Sequence, residues 1–251
     1  MDIKLIRHAT LRLEIGGRHL LLDPALGAAG MQPPIENSDN DRRNPLVDLP
    51  APIPEIARGL QALVVTHLHR DHLDDEAVQQ LPHALPVFCQ PEDADALAKR
   101  GFKQVQPVAD KVDWEGLEII RTGGRHGTGD LARQMGPVSG FVFRAAGERP
   151  LYVAGDTVWC PLVADALARH KPGVIVVNAG AAEFVDSDPI TMDSDDVLRV
   201  AQAAPEATVV AVHMEAWNHC ALGRSRLAEL VRQANLSGRI RIPQDGQQLS
   251  F

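Results

Sequence analysis

The 251-residue chain lacks any run approaching the ~18 consecutive apolar residues of a membrane span, which argues against a spanning helix and a membrane partner. Cysteine is scarce. Cys89, Cys160 and Cys220 are an odd set at wide spacing, which argues against a disulfide framework or a CxxC zinc site. Each reads as a small buried apolar residue. Cys160 and Cys220 lie close to motifs described below, so a place in a site is their alternative. A basic stripe is also missing. The net charge is −8 with the signs interspersed, which argues against a nucleic-acid partner. The opening stretch, MDIKLIRHATLRLEIGG, has no basic region followed by an apolar one, so a secretory signal is not expected and a cytoplasmic location is. With no repeat, low-complexity tract or linker, one domain over residues 1–251 is expected, and a homo-oligomer stays open.

What is present is an alternation of short apolar segments and helical ones. Ile3 to Ile6 and Leu11 to Ile15 read as strands, and Gly16-Gly17 turns the second into His19 to Leu22. Residues 24 to 54 hold seven prolines and read as a long irregular loop, expected to wall or cover a site. Strands follow at 60–66, 87–89, 105–107, 111–114, 117–121, 140–144, 151–154, 174–177 and 208–212, with helices at 74–81, 92–100, 160–170, 193–203 and 225–233. Residues 123–136 are Gly-rich and read as loop, and Ile240 and Ile242 begin a short C-terminal strand pair. Strands first, then alternation with a second strand block in the middle, suit a layered α/β sandwich.

The stretch LVVTHLHRDHLDDEA, residues 63 to 77, crowds His67, His69, Asp71 and His72 against the end of an apolar run. Residues 67 and 69 share a side because the side-chain period of a strand is two. Asp71 and His72 follow where the chain turns into a helix. Imidazole and carboxylate together suit zinc. Coincidental histidines in an exposed turn would have no partners elsewhere. Here His126 follows a strand in IRTGGRHGTG, Asp156 in LYVAGDT and His213 in TVVAVH. In open α/β sheets, ligands gather outside one end of the strands, so these parts can assemble into one site.

The ordered set HxHxDH (67–72), a lone His126, Gly-Asp-Thr (155–157) and a late His213 resembles the metallo-β-lactamase fold hydrolases. IRHATLRLEIGG and LLDP, without inserted domains, look most like the branch containing the L-ascorbate-6-phosphate lactonase. The resemblance implies a four-layer αββα sandwich with two divalent metal ions at one edge. It implies His67, His69 and His126 on the first ion, Asp71, His72 and His213 on the second, and Asp156 bridging. The best-known β-lactamases have cysteine where this chain has Asp156, which argues against penicillin hydrolysis. Diiron oxygen-reducing relatives have glutamate where this chain has His69, which argues against redox chemistry.

Two such ions share a water whose pKa falls toward neutrality, and Asp71 can orient it or accept its proton. The expected activity is metal-dependent hydrolysis, by metal-bound hydroxide, of a small-molecule ester, lactone or phosphodiester. A phosphorylated sugar-like lactone is the substrate weighted by family. The alternatives are a non-catalytic metal-binding module and a phosphodiesterase acting on nucleotides or RNA. Zinc is the expected metal, with manganese or iron as alternatives. His8, with a packed or surface role as its alternative, and His219, as a supporting or substrate-contacting residue, are candidate pocket residues, and Asn178 reads first as a turn residue and second as a pocket one. Thr157 is expected to cap the following helix, and Arg125 and Arg133 to be surface charges. Glu215 and Asn218 are explained by loop polarity alone.

Overall fold

The computed structural model describes residues 1–251. Strands β1 (Asp2–Arg7), β2 (Thr10–Ile15) and β3 (Arg18–Leu22) form an antiparallel meander. After one short helical turn, α1 (Ile53–Ile56), come β4 (Ala62–Val65), α2 (Asp75–Gln80), β5 (Pro86–Cys89), α3 (Ala94–Lys99) and β6 (Gln104–Pro107). A second meander follows: β7 (Lys111–Trp114), β8 (Leu117–Gly123), β9 (Ser139–Arg144) and β10 (Leu151–Val153), with α4 (Gly129–Met135) between β8 and β9. The chain then alternates through α5 (Pro161–His170), β11 (Val174–Asn178), α6 (Ser194–Ala203), β12 (Thr208–Val212), α7 (Arg224–Gln233) and β13 (Ile240–Arg241), and ends in β14 (Gln248–Ser250).

The strands make two seven-stranded sheets, ordered β14-β1-β2-β3-β4-β5-β6 and β13-β12-β11-β10-β9-β8-β7. One apolar core lies between them, with Leu13, Leu22, Val64 and Phe88 from the first sheet and Phe141, Val176 and Val210 from the second. A second core puts Ile175, Val177 and Val209 under α5, α6 and α7, and a third puts Leu63, Val65 and Val87 under α2 and α3. This is the αββα sandwich. It also explains the unbroken apolar runs Leu63-Val64-Val65 and Val174-Ile175-Val176-Val177. The strands β3 to β6 and β10 to β13 pair in parallel, and those covered on both faces need apolar residues on both.

Two expectations are corrected. The Gly-rich segment 123–136 contains α4, which buries none of its residues and therefore carries no apolar stripe to reveal it. The C-terminal strands are not a pair: β13 extends the second sheet beside β12, whereas β14 crosses to the first sheet and pairs with β1. Isolated short strands are placed by whichever sheet edge is free, which local pattern does not encode.

The irregular segment after β3 is tied down from below. Arg7 is fully buried and donates to the carbonyls of Ala25 (2.7 Å), Gly27 (2.9 Å) and Val47 (2.9 Å). The carboxylate of Asp74, the N-cap of α2, accepts from the amides of Ala77 (2.8 Å) and Gly27 (2.7 Å).

Gly155 turns the chain out of β10 at a φ of +69°, and a Cβ there would lie 2.5 Å from the Ser139 carbonyl oxygen. Gly155→Ala is expected to cost about 2–3 kcal/mol from backbone strain and overlap together. A thermal-denaturation midpoint lower by roughly 4–10 °C checks this, and an unchanged midpoint contradicts it.

Candidate metal centre

Each element that carries a candidate ligand stops at the same edge of the sandwich. β4 runs into Thr66 and His67, and His69, Asp71 and His72 follow in the turn before α2. His126 follows β8, Asp156 follows β10 and His213 follows β12. The ring nitrogens of His67, His69 and His126 gather within 4.8 Å of one another, and the donor atoms of Asp71, His72, Asp156 and His213 do the same.

The Asp156 carboxylate lies between the two groups. Its Oδ2 is 3.8 Å from His67 Nε2, 3.4 Å from His126 Nε2 and 3.2 Å from His72 Nε2, and its Oδ1 is 3.5 Å from His213 Nε2. Asp71 Oδ2 is 3.4 Å from His213 Nε2 and 3.8 Å from His72 Nε2. His69 Nδ1 is 3.3 Å from His126 Nε2. Tetrahedral ligation at 2.0–2.1 Å places donor atoms roughly 3.3 Å apart, so most of these separations are those of atoms sharing an ion. The Nε2 atoms of His67, His72 and His213 are buried without a hydrogen-bond partner. Such atoms are costly unless something takes their lone pairs or protons. Donor types, spacing and orphaned nitrogens all fit divalent ions.

The opposite ring nitrogens are anchored. His72 Nδ1 meets Asp23 Oδ2 at 2.7 Å, and His126 Nδ1 donates to the Ile190 carbonyl at 2.7 Å. His67 Nδ1 lies 3.1 Å from Thr66 Oγ1, and His213 Nδ1 lies 3.7 Å from Cys220 Sγ. Asp23 also accepts from the Thr66 amide (2.8 Å) and hydroxyl (2.8 Å), locking the end of β4 to the end of β3. Anchoring Nδ1 leaves Nε2 directed inward and raises its basicity.

Charge decides the protonation states. Burial pushes the carboxyls of Asp71 and Asp156 upward, but the surrounding imidazoles, His72 foremost, outweigh it and hold both well below the usual carboxylate range. Burial works against protonation of His72 and His213 as well. Asp156, Asp23 and Asp71 overcome it at His72, which is raised well above its ordinary value, and Asp156 leads in raising His213 to about 10. Burial lowers His8, His67 and His126. Without metal, the carboxylates therefore draw protons onto two of the imidazoles.

The other sequence candidates fall into two groups. His219 lines a cavity of about 220 Å³ above the cluster, together with Ile35, Met135, Phe184 and Ile190. His8 and Asn178 sit behind the cluster and not on the cavity wall, a correction to their expected place. His8, in the turn between β1 and β2, puts Nε2 3.2 Å from Asp71 Oδ2, and Asn178 donates to Asp156 Oδ1 at 2.6 Å. Thr157 does not cap α5. Its hydroxyl accepts from the Arg125 amide (2.8 Å), steadying the loop that bears His126. Arg125 is exposed, and so is Arg133, which pairs with Asp130. Cys160 is the N-cap residue of α5, buried in the core under that helix, and Cys220 stands behind His213.

Sequence reasoning missed Asp23, read only as the stop of β3, and undervalued Asn218. The signal for Asp23 was its position, since it ends an apolar strand just as the ligands do. Asn218 is a clasp. Its Oδ1 accepts from the Ile35 amide (2.9 Å) and Asn44 Nδ2 (2.8 Å), its Nδ2 donates to the Asn40 carbonyl (2.8 Å), and its amide donates to Asn44 Oδ1 (2.9 Å). These bonds seat Ile35, from the proline-rich loop, in the cavity wall.

Two outcomes follow. Protons held on His72 and His213 compete with metal, because a protonated imidazole cannot ligate. Their pKa values are raised, so the competition extends above neutrality and strengthens as pH falls. Zinc affinity should therefore decline steadily from pH 9 to pH 6, with proton uptake by the buffer on binding, and a flat profile would contradict this. Asp23→Ala should weaken metal binding by about 10–100-fold while leaving the fold intact, measured by chelator competition.

Residues 18–214 match the family described as the beta-lactamase superfamily domain. The UPF0173 protein YddR of Bacillus subtilis (strain 168) is 39% identical over 254 residues, spanning 100% of both chains. A UPF0173 metal-dependent hydrolase of Azorhizobium caulinodans is 26% identical over 224 residues, 85% of each chain. Among solved structures, a possible metal-dependent hydrolase from Veillonella parvula DSM 2008 superposes with a TM-score of 0.98 at 34% identity, covering 100% of this chain and 99% of that one. The isothiocyanate hydrolase from Delia radicum gut bacteria does so at 0.96 and 35% identity, with the same coverage. The chain belongs to the metallo-β-lactamase superfamily, within its UPF0173 group of metal-dependent hydrolases.

Proposed function

We propose that this enzyme hydrolyses small apolar electrophiles, isothiocyanates first among them, at a dinuclear metal site. His67, His69 and His126 would hold one ion, Asp71, His72 and His213 the other, with Asp156 between them. Nitrogen donors favour zinc, and the carboxylates admit manganese or iron. Bound there, the ions supply a strong nucleophile from water near neutral pH and polarise the substrate.

The observation that carries the substrate class is the cavity wall. Ile35, Met135, Phe184 and Ile190 surround the cluster, and no lysine lines the space. Its one arginine, Arg70, gives one N–H to the Pro34 carbonyl at 2.8 Å, and the guanidinium lies 5.6 Å from the Trp217 ring centroid. A phosphorylated lactone or a phosphodiester would find a single side-chain cation beside the metals, against four apolar side chains. A hydrocarbon tail would be desolvated against four apolar side chains. The likeness to the isothiocyanate hydrolase supports the same class.

The chain's own groups do three things. The apolar walls seat the tail and exclude water. Asp71 lines the cavity as an ionised carboxylate, placed to orient the attacking water. Asn178 and His8 hold Asp156 and Asp71 in position. Overall, R–N=C=S and water give a thiocarbamic acid, which splits into the amine R–NH2 and carbonyl sulfide. Small apolar esters and lactones are the second reading, favoured by the same walls.

The zinc-loaded protein should consume benzyl isothiocyanate and release benzylamine, with activity abolished by a chelator and nearly abolished in Asp156→Ala. Phe184→Ala should raise KM about tenfold through lost apolar burial. Preference for a phosphorylated lactone over benzyl isothiocyanate would overturn the substrate class.

A further inference from the structure

Around the metal centre, nearly every imidazole has a ring nitrogen fixed by a partner. His8 meets Asp71, His67 meets Thr66, His72 meets Asp23, His126 meets the Ile190 carbonyl and His69, and His213 meets Cys220. His219 is the exception. It is 8% exposed, its Nδ1 is buried with no hydrogen-bond partner, and its Nε2 makes no hydrogen bond within the protein either. A ring nitrogen left unpaired in so buried a side chain is unfavourable unless a ligand or a water takes the bond.

The ring is nevertheless held in place. The Glu183 amide donates to the His219 carbonyl at 3.0 Å, and the adjacent Asn218 is clasped to the proline-rich loop. The imidazole stands edge-on to both Trp217 and His213, with centroids 6.4 Å away in each case. It shares the cavity wall with Asp71, His126 and Asp156. An imidazole carries at least one N–H to donate in either protonation state. A fixed, unpaired donor beside the reacting centre costs no reorganisation when charge develops.

We propose that His219 is a catalytic residue whose imidazole donates a hydrogen bond to the substrate atom that gains negative charge during hydrolysis. In an isothiocyanate that atom is nitrogen. The water oxygen bonds to the central carbon, and the C=N π pair moves onto nitrogen beside the His219 N–H. One water proton is lost to solvent and one is gained at nitrogen, giving the neutral thiocarbamic acid, while His219 keeps its own proton. In an ester the same donor would face the carbonyl oxygen. The inference rests on the hydrolase reading of the site, and on isothiocyanates only for the identity of the atom.

The test compares zinc-loaded wild type, His219→Ala and His219→Gln, each checked for zinc content and thermal midpoint. Two quantities are read: kcat and KM for benzyl isothiocyanate, and Kd for the inert analogue N-benzylthiourea. His219→Ala should keep its zinc, lose about 100-fold in kcat and bind the thiourea about tenfold more weakly. His219→Gln retains an amide donor and should recover at least about tenfold of the loss in kcat. An alanine variant with full zinc and wild-type kcat overturns the proposal, as does one that loses its zinc. If wild type does not turn over benzyl isothiocyanate, the substrate reading fails by itself. The same three proteins on p-nitrophenyl acetate then decide His219, a large loss in the alanine variant supporting it and equal rates overturning it.

Discussion

Asp71 and Asp156 are buried carboxylates whose ionic partners are imidazoles alone. That pairing constrains everything around it. A buried anion without compensating positive charge is strongly unfavourable, and imidazole compensates only by taking a proton or by sharing a cation. The cluster therefore calls for positive charge in every state of the protein. Protons on His72 and His213 meet the demand without metal, and divalent ions meet it better, because they reach several donors at once. The orphaned Nε2 atoms are the geometric counterpart of this electrostatic demand.

The fold serves the cluster by ending its strands together. Hydrogen bonds from Thr66 to the Asp23 carboxylate join the ends of β3 and β4, and the left-handed turn at Gly155 delivers Asp156 from β10. At Gly180 a Cβ would lie 2.2 Å from the His213 carbonyl oxygen, so the chains that follow β11 and β12 approach too closely for any side chain. Behind the ligands, Thr66, Asp23, Ile190 and Cys220 each address a ring nitrogen that does not face the centre. The irregular proline-rich loop supplies a wall and no ligand, and it is fixed by Arg7 beneath and Asn218 above. Ligands on the strand ends and walls on the loops are an arrangement in which the walls can vary in sequence without disturbing the ligands.

Much of this was legible in the sequence, for physical reasons that differ by residue. Strands covered on both faces leave unbroken apolar runs, so β4, β11 and β12 announced themselves, and the ligand-type residues at their ends marked the edge of the sheet. Helix α4 was hidden because it buries nothing. The separate sheets of β13 and β14 were hidden because a two- or three-residue strand takes its partner from tertiary packing. Asp23 looked like a strand stop, and Asn218 like ordinary loop polarity, because a supporting residue is defined by what it touches across the fold. His8 and Asn178 read as pocket candidates but support the carboxylates from behind, since sequence separates near from far and not front from back.

We propose a hydrolase of small, uncharged electrophiles from the apolar wall above the cluster, and the proposal requires two cations flanking Asp156. Anomalous diffraction from zinc-loaded crystals, collected on both sides of the zinc edge, tests it directly. Two peaks are expected, one among His67, His69 and His126 and one among Asp71, His72 and His213, with Asp156 touching both. A single peak, or peaks away from Asp156, would contradict the account.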